Sequence, residues 1–205
     1  MDPKLLAGIF YYLVLYGTLA TAIIPVFFFL QWNFFSFWQK HVLLFYAFFS
    51  GLPVVSAAAF YFTQKYWIFW YYAFPGWVQL IGLFLVVASF VVIKLAELSI
   101  TKKVRFFYPL LKSEKFHLKI TGLYKYVRHP IYAVFPWIIL GAIFYTGQLV
   151  LLPVMIFNLI GRNWYAPCEE EHLKKLAIGD YENYKKHTPF RFYPCYRKNP
   201  KEGRA

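Results

Sequence analysis

From Leu5 to Leu30 the chain carries no charged residue. That run exceeds the roughly 20 residues needed to cross a hydrocarbon core about 30 Å thick. Inside lipid every backbone N–H and C=O must be bonded within the segment, so the run can only be a helix. Pro25 should kink it near its end. It is too long for the apolar stretch of a cleaved leader, and Lys4 alone is a thin basic prelude, so it reads as a retained span. Two further runs have the same character: Val42–Thr63, with Gly51 and Pro53 near its middle, and one from Gly76 to Glu97. The stretches between them, Gln31–His41 and Gln64–Trp77, are aromatic, as expected of turns at headgroup level. A chain that is 60% apolar and 24% aromatic, with a mean hydropathy of +0.46, is not a soluble globular domain.

The character changes at Ser99. Ser99–Arg128 is basic and mixed, with Pro109 breaking any long helix, and its Phe106-Phe107 and Leu110-Leu111 pairs suit a segment lying against the bilayer. The last apolar block, Ile131–Trp164, is divided at Gly147-Gln148 into two arms, short for independent spans but workable as a tilted hairpin. The tail from Glu169 reads as a short amphipathic helix (Leu173, Leu176, Ala177) stopped near Gly179, then a Tyr/Pro/basic strip to Ala205. Residues 1–98 thus form an N-terminal three-helix membrane region and residues 99–205 a basic linker, a hairpin and a tail, within a single structural domain.

Charge gives the orientation. Lys4, Lys40 and Lys65 are the only basic residues before Lys94, so 19 of the 22 lie from Lys94 onward in a chain whose net charge is +13. Basic loops stay on the cytoplasmic side. Ser99–Arg128 and the tail must share that side, and a hairpin between them allows it. Counting back gives an all-α integral membrane protein of five spans, N-terminus external and C-terminus cytoplasmic, with Lys65 the one exception. The basic face suits anionic lipid headgroups and not nucleic acid. Oligomeric state is not written in the sequence. Cys168 and Cys195 form no CxxC pair, and His41, His117, His172 and His187 have no metal-ligand spacing, so neither a zinc site nor a disulfide framework is expected.

The chemistry-bearing stretch is Gly122-Leu123-Tyr124-Lys125-Tyr126-Val127-Arg128-His129-Pro130-Ile131-Tyr132. Gly122 permits a turn, Pro130 suits the first position of a helix, and Arg128 and His129 sit at that helix's mouth. A hairpin returns its far end to its starting side, where Cys168-Glu169-Glu170-Glu171-His172-Leu173 follows. Guanidinium suits a carboxylate or phosphate, a glutamate suits an ammonium, and aromatic rings suit an adenine or a cationic group. S-adenosylmethionine presents all of these at once. Each element also has a local explanation: Arg128 and His129 as snorkelling ends, Pro130 as a helix start, and the glutamates after Pro167 as partners of a helix dipole. Lys94 and Glu97, three apart at the end of the third span, read as a surface pair or as part of the mouth. Asn158 and Arg162 lie one turn apart on the last arm, and Asn158, a polar residue inside a span, is a candidate for lining a cavity in the bundle interior.

Gly122-Leu123-Tyr124, then Arg128-His129-Pro130-Ile131-Tyr132, then Glu169-Glu170-x-x-Leu173, then Gly179-x-Tyr181-x-x-Tyr184 resemble, in order and spacing, the isoprenylcysteine carboxyl methyltransferase and phospholipid methyltransferase superfamily. The resemblance implies S-adenosylmethionine as cofactor, with Tyr124, His129, Pro130, Tyr132 and Glu169 as its contacts and Arg128 and Glu170 nearest the chemistry. It implies a lipophilic acceptor (an isoprenylcysteine-like carboxylate, a phospholipid amine or another lipid) and makes the first three spans part of its entrance. A second likeness competes. Pro189-Phe190-Arg191-Phe192-Tyr193-Pro194 is similar to the C-terminus of the membrane sterol and steroid reductases, which use NADPH, although their Arg-His pair is typically not followed by Pro. A non-catalytic lipid-binding relative is the third reading; the intact set Arg128, His129, Glu169 and Glu170 argues against it.

Overall fold

The computed structural model describes residues 2–99, 120–176 and 181–193. The described residues form helices α1 (Pro3–Leu19), α2 (Ile24–Asn33), α3 (Phe35–Lys40), α4 (Val42–Thr63), α5 (Gly76–Leu98), α6 (Pro130–Thr146), α7 (Leu151–Leu176) and α8 (Tyr181–His187), with no strand among them. The expectations for Pro109, the apolar pairs around it, His117, Gly179 and Cys195 lie outside the described residues. Three helical stretches are long and apolar enough to cross a membrane: Lys4–Asn33, Val42–Tyr66 and Gly76–Leu98. With the shorter apolar α6 and the apolar first part of α7, they make this an all-α integral membrane protein.

The first span starts at Asp2, whose carboxylate accepts the Lys4 N–H at 2.9 Å and so satisfies one of the donors a helix start leaves open. It does not stay α-helical throughout. Pro25 has no N–H to give to Thr21, and the ladder tightens to a 3₁₀ turn at Ala20–Ile23 before α2 resumes. The aromatic stretch after it is helical rather than a loop. There α2 runs on to Asn33, and α3 is pinned by the Trp38 indole, which donates to the Leu30 carbonyl at 3.1 Å.

α5 and α6 make the closest helix pair. A Cβ at Gly141 would stand 2.7 Å from the Gly82 carbonyl, and one at Gly82 would stand 2.5 Å from the Tyr145 nitrogen. Only a missing side chain lets the two backbones approach so closely. Gly82→Val is therefore expected to cost about 1–3 kcal/mol, the usual range for overpacking. A thermal melt in detergent checks it, with Gly76→Ala, where a Cβ would meet nothing within 4 Å, as the control. At the far end of the hairpin, Gly147 turns with φ +74°, and the tip is laced to the aromatic α4–α5 loop. The Tyr72 N–H donates to the Gly147 carbonyl at 2.9 Å, and the Leu149 N–H to the Trp70 carbonyl at 2.8 Å.

α7 departs from the expected break. The helix passes straight through Pro167 and carries the glutamates on the same continuous helix as the apolar arm. An internal proline costs about 3 kcal/mol. Contacts on both sides of it outweigh that: Tyr165 stacks on Phe28 at 4.2 Å, and Glu169 and Glu170, one turn on, are bound as described below. The apolar stretch ends near Trp164, so Glu169 and Glu170 project beyond it.

Candidate active site

Gly122 has φ +55°, and a Cβ there would run into the Ser99 side chain. This turn seats the 3₁₀ segment Gly122–Lys125 against the end of α5, where the Thr121 hydroxyl donates to the Ser99 carbonyl at 2.8 Å. His129 then occupies the cap position of α6, with Pro130 at its first turn as expected. The N–H groups of Arg128 and His129 are spoken for by the tail. They donate to the carbonyls of Phe190 and Arg191 at 3.0 and 2.9 Å, which turns both side chains inward.

Glu170, 5% exposed, is the hub of the cluster. Its Oε1 accepts from Arg128 Nε at 3.1 Å and Arg191 Nε at 3.0 Å, and lies 3.2 Å from His129 Nε2; Arg191 Nη2 reaches Oε2 at 3.3 Å. Burial alone would raise this carboxyl. The hydrogen bonds from His129 and Arg191 and the charges of His129 and Arg128 reverse that and hold it well below the ordinary glutamate range. Arg128 Nη1 also donates to the carbonyls of Thr188 and Pro189, both at 2.7 Å, so one guanidinium joins α7 to the tail.

Glu169 is differently placed. The Tyr132 hydroxyl donates to its Oε2 at 2.6 Å and His129 Nδ1 stands 3.7 Å away, while the side chain keeps 17% of its surface. Its Oε1 takes no hydrogen bond from any described residue. The His129 ring lies parallel to that of Tyr132, 5.2 Å between centroids and 9° between planes. Tyr124 completes the rim. Burial, then the charge of Glu169, then Tyr184 and Glu97 push its hydroxyl above the ordinary tyrosine range. Glu97 pairs with Lys94 at 3.5 Å on the surface, the first of its two readings. The structure thus brings Tyr124, Arg128, His129, Pro130, Tyr132, Glu169 and Glu170 together.

Several contributors were not legible as such. Arg191 and Tyr193 come from the strip that resembles a reductase tail, and Thr188 directly precedes it; Tyr193 donates to the Ala133 carbonyl at 2.8 Å. Gln31, 1% exposed, has neither amide atom bonded among the described residues. It sits on α2 between Phe28, against Tyr165, and Trp32, whose ring is 4.6 Å from His172, level with the α7 turn that carries Glu169. Asn158 is interior, as expected, donating to the Thr21 carbonyl at 3.2 Å. The Cys168 thiol donates to the Trp164 carbonyl at 3.5 Å, and burial pushes it up, away from nucleophilic use. No cluster of metal-ligating side chains occurs among the described residues.

The helical bundle thus carries a buried Arg/His/Glu cluster at one end, just beyond its apolar part. A family model for phospholipid methyltransferase matches residues 70–176, more than half of the chain and most of this cluster, and the chain belongs to that family. No curated protein and no solved structure matches it.

Proposed function

We propose that the protein transfers a methyl group from S-adenosylmethionine to a lipophilic acceptor resident in the bilayer. The observation that carries this reading is the asymmetry of the two glutamates. Glu170 is saturated by Arg128, Arg191 and His129, whereas Glu169 keeps an oxygen that no described residue bonds, beside Tyr132 and Tyr124. An acidic oxygen flanked by aromatic rings fits a zwitterionic, cationic donor. Glu169, Tyr132, His129 and Tyr124 would hold the donor, with Pro130 fixing the turn that presents them. Arg128 and Glu170 would set the geometry at the reacting end. When bound, S-adenosylmethionine supplies an electrophilic sulfonium methyl group. The chain's own part is then to orient the donor and exclude water, since methyl transfer needs positioning more than acid–base work.

The lipid acceptor enters from the bilayer and the donor from the water. The clustering of basic residues after Lys94 supports a cytoplasmic C-terminus, an external N-terminus and five passes. The acceptor is a phospholipid amine or another lipid nucleophile, and the basic face rests on anionic headgroups.

S-adenosylhomocysteine at 100 times its dissociation constant should stabilise the purified protein by about 2.7 kcal/mol in a thermal melt, while NADPH leaves the midpoint unchanged. Stabilisation by NADPH alone would replace this reading with a reductase.

A further inference from the structure

Arg162 is a second buried cation that the cluster above does not use. It is 8% exposed and lies seven residues before Glu169 on α7, so both project from the same face, about 10 Å apart along the axis. Unlike Arg128 and Arg191, it makes no ion pair with a carboxylate among the described residues. Among the described residues, only its Nη1 is bonded, to the Tyr193 hydroxyl at 3.0 Å and the Tyr132 carbonyl at 3.4 Å, and its buried Nε has no partner among them. Its guanidinium lies over the rings of Phe192 and Tyr193, 4.7 and 5.2 Å from their centroids. Phe192 in turn lies beside His129, with 6.1 Å between their ring centroids, so Arg162 borders the donor-holding residues directly at the Tyr132 carbonyl and through this ring at His129.

A charge this far out of water needs an opposite charge or a full set of hydrogen bonds, and cation–π contact supplies only part of that. A guanidinium left with unused donors, held over two rings, is preorganised for a two-point contact with a planar or tetrahedral oxyanion. We infer that Arg162 is the oxyanion-binding residue at the floor of this site. It would hold either the carboxylate of the donor's amino-acid end or the phosphodiester of a lipid acceptor. The inference rests on the proposed methyl transfer for its ligands but concerns a residue that reading does not use.

Calorimetry on the full chain in detergent separates the sources, using two ligand pairs. One pair is S-adenosylhomocysteine and its analogue lacking the carboxylate; the other is a short-chain phosphatidylethanolamine and a short-chain diacylglycerol. In one pair, loss of the anion should weaken binding to the wild type tenfold or more. Arg162→Gln should show the same loss with the intact ligand and no further loss with the truncated one, the signature of a direct contact. The pair that behaves so names the source. Equal loss for both members of both pairs, or binding within twofold of wild type throughout, overturns the inference and leaves Arg162 as a prop for the tail. If Arg162→Gln does not fold, the wild-type comparison still decides, because indifference to the anion in both pairs is the overturning result. A wild type that ignores S-adenosylhomocysteine altogether would sink the donor reading, and the lipid pair alone would then test Arg162.

Discussion

Glu170→Gln is expected to lower the stability of the folded protein by about 3–5 kcal/mol, the scale for removing one partner of a buried ionic cluster. The substitution keeps the shape of the side chain and removes the charge that Arg128, Arg191 and His129 share. Two guanidinium groups would then face a neutral amide, and Arg128, the more buried of them, would keep only the Thr188 and Pro189 carbonyls among the described residues. A thermal melt reads the loss, and limited proteolysis should find new cleavage near residues 188–193, whose carbonyls Arg128 grips. A Glu182→Gln control removes half of an exposed pair with Lys174 and should change little. The pH dependence has a definite sign. A carboxyl held below its unfolded value contributes stability that is fully present above about 4.5 and is lost as the pH falls below that. The wild-type melting midpoint should therefore decline on acidification below that point, and the decline should be shallower in Glu170→Gln. An unchanged midpoint in the variant would show that Arg128 and Arg191 are held by the tail alone.

Arg128→Ala should nearly abolish turnover while leaving the affinity for S-adenosylhomocysteine within a few-fold, whereas His129→Ala and Glu169→Gln should weaken that affinity tenfold or more, about 1.4 kcal/mol. The reason is where each group points. Arg128 spends its donors on Glu170 and the tail carbonyls, away from the open oxygen of Glu169, while His129 and Tyr132 border that oxygen. A group that touches the donor equally before and during the reaction changes binding, and one that sets the reacting geometry changes rate. Titration calorimetry and single-turnover methylation separate the two. Arg128→Lys retains one contact, guards against simple misfolding, and should recover part of the rate. If Arg128→Ala lost donor binding as badly as His129→Ala, Arg128 would belong to the donor's carboxylate.

The membrane helices were legible because lipid leaves a chain few options. Val42–Thr63 stands where the apolar run put it, and the third span ends one residue beyond its expected limit. The pairing of His129 with Glu169 and Glu170 was legible because a hairpin must return to its starting side. What escaped the sequence was set by tertiary packing. Pro167 signals a break on local grounds, and only the Phe28–Tyr165 stack on one side and the bound glutamates on the other explain why α7 runs through it. Arg191 sits in a strip with no helical or strand period, so nothing local marks it as the third cation of the hub. Gln31 lies in an aromatic stretch that reads as headgroup-level turn, and its interior position follows from the way α2 lies along α7.

The strap formed by residues 188–193 has a consequence for biogenesis. Synthesis runs from the N-terminus, and the passes are inserted before this strap leaves the ribosome. Until then Arg128 and His129 have no Phe190 or Arg191 carbonyl for their N–H groups, and Glu170 lacks Arg191. The nascent protein is thus an inserted bundle whose Arg128/His129/Glu170 cluster is unfinished, and that cluster closes as a late step, after the membrane passes are in place. A message truncated before codon 188 would yield a protein that inserts but lacks the tail's half of the cluster.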